Sequence, residues 1–203
     1  MRRTKEEAEH TRQQLLRAAR DIICEKGYEA LRLSDVASRI GMTRGAVYWH
    51  FGSKTELLIA LFKDRIDPFF EFIEQIMNEP LTALQKLEKF LVGFIERLRR
   101  DNEFLVNQRL YFQDFQIKQE IPEIDKYFKK RTKMFFQNFI ALMQQGIDEG
   151  EIRPLDPKAM SSILAAFFAG YGEIYIKKKV EDMYLVDPSI LVDVFFKGIK
   201  AKK

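Results

Sequence analysis

At 203 residues, 46% hydrophobic and 32% charged, the chain suits a globular protein of one full domain or a small domain beside a larger one. Its longest charge-free runs, residues 134–147 and 159–172, hold 14 residues each, short of the roughly 20 that span a bilayer, and this excludes an apolar membrane helix. The net charge of +4 is uneven: residues 1–54 hold 11 Lys and Arg against 7 Asp and Glu, while residues 55–203 hold 23 of each, so a phosphate-binding surface is to be sought at the N-terminal end.

The chain opens on a basic arm, MRRTK, which either reaches a DNA groove or frays in solvent. Leu15, Leu16, Ala19, Ile22 and Ile23 then form the apolar stripe of a helix ending near Gly27. Cys24 extends that stripe and reads as a core residue, since no basic neighbour is there to activate the thiol. As the single cysteine it excludes an intramolecular disulfide. With no apolar run behind the charged N-terminus to suggest a secretory signal, a cytoplasmic location is expected.

Residues 34–54, SDVASRIGMTRGAVYWHFGSK, organise the rest. Ser34 has the chemistry of an N-cap, and Val36, Ala37 and Ile40 give a short helix one apolar face. Gly41 stops it. Thr43 caps a second short helix with Val47 and Phe51 one turn apart on its inner side, leaving Arg44, Tyr48, Trp49 and His50 on the other faces. Two short helices about a tight turn are the helix-turn-helix arrangement, in which the second helix enters the major groove.

Gly41, Gly45, Val47, Tyr48, His50, Phe51, Lys54 and Leu57 resemble the pattern of the TetR family of bacterial transcriptional repressors, and residues 42–51 are similar to its AcrR-like subgroup, many of which repress multidrug efflux pumps. The resemblance covers about residues 10–60; beyond residue 65 it implies only an all-helical regulatory domain. It implies that Thr43, Arg44, Gly45 and Ala46 face base edges, that Tyr48, Trp49 and His50 face the flanking backbone, and that Ser34 and Lys54 contact phosphates. Chemically, Arg44 is a natural reader of guanine and Gly45 permits close approach. Core packing is the alternative for Trp49.

After the motif, Ser53-Lys54-Thr55-Glu56 is a capping box opening a long helix to about Met77. Lys54 in its first turn opposes the helix dipole, a conflict that a DNA phosphate would relieve. Pro80 suits the first turn of a helix to about Arg100; others are expected over 102–118, 122–149, 157–179 and 188–200, the last two opened by Asp156-Pro157 and Asp187-Pro188. No segment alternates with period two, so the expected fold is all-α: a three-helix head, residues 1–54, and a helical ligand-binding and dimerisation domain, residues 55–203, with about nine helices in all.

Twenty-two of the 26 aromatic residues follow Lys54. A lipophilic pocket built from Phe69, Phe94, Asn107, Tyr111, Phe115, Phe135, Phe139, Phe168 and Tyr171 is one expectation, and an ordinary Phe-rich core is the other. Glu173 interrupts an apolar run, so a half-buried carboxylate with an internal or ligand cation is expected. The small residues Ala165 and Ala169, with Ile190, Leu191, Val194 and Phe195 on the last helix, suit half of a four-helix dimer interface, as in TetR relatives, with simple intramolecular packing as the alternative.

Three functions compete. One is a repressor that binds a palindromic DNA operator as a homodimer and is released by a small lipophilic or aromatic effector, with no cofactor and no membrane partner. A second is a dimeric DNA-binding regulator without a ligand. The third, a helical-bundle enzyme, finds little chemistry: the chain has only His10 and His50, Glu7-x-x-His10 lacks its counterpart, and no phosphate loop or nucleophile elbow occurs.

Overall fold

The computed structural model describes residues 5–101, 104, 119–177 and 188–201. Among them are eight α-helices: α1 Lys5–Lys26, α2 Leu33–Arg39, α3 Arg44–His50, α4 Lys54–Met77, α5 Ala83–Arg100, α6 Pro122–Asp148, α7 Pro157–Lys177 and α8 Pro188–Ile199. They contain no strand, only an isolated antiparallel bridge between Ile152 and Lys200. The helix expected over 102–118 lies outside the described residues except for Phe104. The chain forms two compact units, one of residues 1–65 with 116–125, the other of residues 66–115 with 126–203.

The first unit is built around α1, whose Leu15, Leu16, Ala19, Ile22 and Ile23 are all buried, with Leu31, Val36, Val47, Phe51 and Leu57. Each such side chain contributes roughly 1.5–3 kcal/mol by leaving water. Gly27 ends α1 at φ +81, its N–H bonded to Ile23 O at 2.9 Å. Cys24 falls one step past the buried stripe and is exposed, so it is not the core residue expected. Ser34 is not the cap of α2 either. That helix begins one residue earlier because Leu33 is drawn into the core at 7% exposure; Arg32 takes the cap position without a side-chain bond, and Ser34 Oγ donates to Asp35 at 3.4 Å. The box at Ser53 forms in altered register: Glu56 N–H donates to Ser53 Oγ at 3.1 Å, while the Glu56 carboxylate accepts from Gly52 rather than Ser53.

In the second unit, α5 starts not at Pro80 but behind Thr82, whose capping box with Gln85 is complete in both directions. The Pro80 stretch is a turn, with Leu81 N–H on Glu79 O at 2.8 Å. Asp156 caps α7 as expected, accepting from Lys158 N–H at 3.0 Å, and α8 opens at Pro188. Phenylalanines fill the middle: Phe90, Phe94 and Phe139 are at most 1% exposed, and Phe90 packs on Phe139 with ring centroids 4.7 Å apart. Such pairs add about 0.5–1.5 kcal/mol beyond their area.

Candidate nucleic-acid interface and core cavity

Two local devices aim α3. Gly41 takes φ +67, a region that costs other residues steric strain, and the chain turns there with Met42 N–H on Ala37 O at 2.9 Å. Thr43 then caps α3 by accepting from Ala46 N–H at 3.3 Å. Val47 at 0% and Phe51 at 3% exposure anchor the inner face. The outer face is thereby presented to solvent, with Trp49 69% and Tyr48 41% exposed; Trp49 is not a core residue.

On that face Arg44 Nη2 donates to Tyr48 Oη at 3.0 Å and its guanidinium stands 5.2 Å from the ring centroid. The Tyr48 hydrogen bond raises the Arg44 pKa further above its ordinary value, so the side chain stays a cation in every relevant condition. Gly45 is exposed, and a Cβ built on it meets no atom within 4 Å. Among the described residues, no packing asks for that glycine. His50 is half-buried, with Trp49 edge-on to it at 4.6 Å and 89°. Ala46 is half-buried beside them. Lys54 resolves its dipole conflict internally, its Nζ donating to Glu29 O at 2.8 Å. Ser34 stays exposed.

The second unit holds a cavity of about 150 Å³ lined by Phe69, Phe70, Thr132, Phe135, Phe136, Ala165, Phe168 and Ala169. Of the expected pocket residues, Phe69, Phe135 and Phe168 reach it. Phe94 and Phe139 instead sit in the packed core at 1% and 0% exposure. Tyr171 is half-buried away from this lining, and Glu173 is exposed rather than half-buried; Asn107, Tyr111 and Phe115 lie outside the described residues. Phe70, Thr132 and Phe136 were missed, although Thr132, Phe135 and Phe136 share one helical face by their spacing. A wider hollow of about 530 Å³ beside α5 and α8 has charged walls of both signs, Glu88, Glu96 and Asp193 with Arg99 and Lys200.

Ala165 and Ala169, expected at a dimer interface, are half-buried and line the cavity. The exposed apolar residues nearby are Ile163 at 61% and Ile174 at 47% on α7, and Ile190 at 54% and Val194 at 64% on α8. Phe195 is half-buried and packs on Phe167 at 6.1 Å. The side chain of Leu191 is outside the described residues.

No helix among the described residues is long and apolar enough to cross a membrane. Residues 15–61 match the family model for bacterial regulatory proteins of the tetR family. The fatty acid metabolism regulator protein of Bacillus subtilis is 28% identical over 142 residues, 69% of this chain and 70% of that protein. The transcriptional regulator TtgR of Pseudomonas putida is 39% identical over 116 residues, about half of each protein at 52% and 53%. In fold the chain is similar to NalD, the secondary repressor of the MexAB-OprM multidrug efflux pump in Pseudomonas aeruginosa, with a TM-score of 0.77 and 24% identity over 98% of this chain and 100% of that one. By name these relatives are regulators, TtgR of transcription and NalD as a repressor. The outward-turned helix α3 lies within the residues that match the tetR-family model, and there and in its helical fold the chain is similar to TetR/AcrR-like regulators.

Proposed function

We propose that the chain is a repressor that binds a palindromic operator as a homodimer and leaves it when a small lipophilic effector occupies the second unit. Residues 1–54 serve as the DNA-binding domain and residues 55–203 as the ligand-binding and dimerisation domain. The observation that carries the reading is the outer face of α3: an exposed glycine that packing among the described residues does not require stands between a cation, Arg44, and two exposed aromatics, Tyr48 and Trp49. A bare backbone beside a guanidinium suits a groove wall, with Arg44 exchanging Tyr48 for guanine O6 and N7. Thr43 and Ala46 reach the neighbouring base edges, while Tyr48, Trp49, His50, Ser34 and Lys54 meet phosphates and sugars.

The exposed Ile163, Ile174, Ile190 and Val194 support a helical dimer face on α7 and α8. The cavity supports an apolar effector, as does similarity to regulators of fatty acid metabolism and efflux. Release follows from population shift: an effector that prefers one spacing of the two heads biases the dimer away from half-sites set by the DNA turn. Helix α4 begins in the first unit and ends in the second, so its tilt is the natural transmitter. The test is a titration onto DNA flanking the chain's own gene, at several salt concentrations, against an unrelated fragment of equal length. Specific binding tighter by about three orders of magnitude or more, with a steep negative log–log salt slope, is expected. No binding to either fragment at low salt would overturn the reading.

A further inference from the structure

Two helices pass from the first unit into the second, α4 between residues 65 and 66 and α6 between residues 125 and 126. Just inside the second unit, side chains bind them to each other. Arg131 Nη2 donates to Asp67 Oδ1 at 2.8 Å and its Nη1 to Glu74 Oε1 at 3.1 Å. Tyr127 Oη donates to the same Asp67 oxygen and accepts from Arg131 Nε at 3.2 Å. The spacing from Asp67 to Glu74, and from Tyr127 to Arg131, keeps each pair on one helical face. The Arg131 and Asp67 side chains are 18% and 29% exposed, where an ion pair is screened less than on the open surface. Burial opposes the Arg131 charge, but the bonds to Asp67 and Tyr127 hold its pKa above the ordinary value. Burial and the bond to Asp67 raise the Tyr127 pKa, so the phenol keeps the proton it donates.

Beside this cluster α4 is short of a bond of its own. Pro68 lies within the helix and has no N–H to give to the ladder, which makes this turn the natural place for α4 to bend. The setting of α4 against α6 thus leans on Asp67.

The same two helices wall the cavity: Phe69 and Phe70 come from α4, and Thr132, Phe135 and Phe136 from α6. Phe70 serves both features. It borders the cavity, and the Arg131 guanidinium stands 5.2 Å from its ring centroid. At about 150 Å³ the cavity suits one benzene ring. A longer lipophile is held between α4 and α6 only if they part, and parting them here stretches the bonds from Asp67 to Arg131 and Tyr127.

We infer that Asp67, Tyr127 and Arg131 form a latch holding α4 to α6, and that a lipophile larger than one ring opens it on entering the cavity, freeing α4 to tilt. The inference rests on the effector reading above and names the contact through which effector and operator oppose each other.

1-N-Phenylnaphthylamine, an uncharged fluorescent dye larger than one ring, tests it on the full-length protein. Asp67→Ala leaves Arg131 paired with Glu74, so no charge is stranded. This variant should bind the dye about tenfold more tightly than wild type, because the open form is no longer held back, and the dye should release operator DNA from it at about a tenfold lower concentration. Damage to the fold alone would weaken dye binding, the opposite sign. Tyr127→Phe, which removes only a hydroxyl, should shift dye affinity the same way by a smaller factor and add little in the Asp67→Ala background. Ala169→Phe, which fills the cavity, should abolish dye binding. Dye affinity unchanged or weaker in Asp67→Ala, dye that binds neither protein, or dye retained by Ala169→Phe would each overturn the inference. Tighter dye binding in Asp67→Ala with no operator release from either protein keeps the latch and removes the effector role. Operator release at equal dye concentrations from both proteins does the reverse.

Discussion

Tyr28 donates its phenolic proton to Glu120 Oε1 at 2.6 Å, across 92 positions of sequence. The bond fastens residues of the segment before α6 to the connection between α1 and α2 within the first unit. It requires the neutral phenol, and that hydrogen bond, aided by the Glu120 charge, pushes Tyr28 up to about 12 from an ordinary 10.0. A folded-state value above the unfolded one means that the stabilisation is complete below the unfolded pKa and is lost as pH rises through the folded one. Thermal melts of wild type and Tyr28→Phe should therefore differ at neutral pH and converge between about pH 10 and about pH 12. A gap that persists unchanged to the alkaline end would show that the hydroxyl contributes nothing through this bond.

Gly45→Ala separates folding from DNA binding. The site is helical and open, so alanine should stabilise the first unit by about 0.5–1 kcal/mol through backbone entropy. On an operator the same methyl would meet the groove, and affinity should fall by about tenfold or more. Paired melts and DNA titrations would check this; a stabilised variant with full affinity removes Gly45 from the interface.

Gly146→Ala should act with the opposite sign. A Cβ at Gly146 would lie 2.5 Å from Ile152 Cδ1, 2.8 Å from Ile152 Cγ1 and 3.2 Å from Ala83 Cβ, and both neighbours are at most 2% exposed. Overpacking of about 1–3 kcal/mol outweighs a helix-propensity gain of about 1 kcal/mol. Urea unfolding should give a lower midpoint with an unchanged slope.

Thr82→Ala tests the start of α5. Thr82 Oγ1 accepts from Gln85 N–H at 3.4 Å, while Gln85 Oε1 accepts from Thr82 N–H at 3.0 Å. Losing the cap should cost about 1 kcal/mol. Because the two bonds are reciprocal, Gln85→Ala should cost less in the Thr82→Ala background than alone, which a double-mutant cycle on unfolding free energies would reveal.

By itself the sequence determined the features whose causes are local. The turn at Gly41, the Thr43 cap, the inward Val47 and Phe51, the caps at Ser53 and Asp156, and the all-helical body each follow from residue type and spacing within a turn or two of helix. Start points slipped where a burial demand outranked a local preference, as when Leu33 drew the start of α2 ahead of Ser34, and where a second signal competed, as Thr82 did with Pro80. Only the tertiary structure decided which of many phenylalanines face space and which face one another. Phe69, Phe135 and Phe168 border a cavity while Phe94 and Phe139 are sealed in the core, although all five are the same residue at helical spacing. It likewise turned Ala165 and Ala169 to the cavity, left Cys24 exposed, directed Lys54 to a backbone carbonyl and isolated the Thr132 hydroxyl. Helical periodicity states that a side chain is turned inward; what it meets there depends on other helices, far away in sequence, that no local pattern encodes.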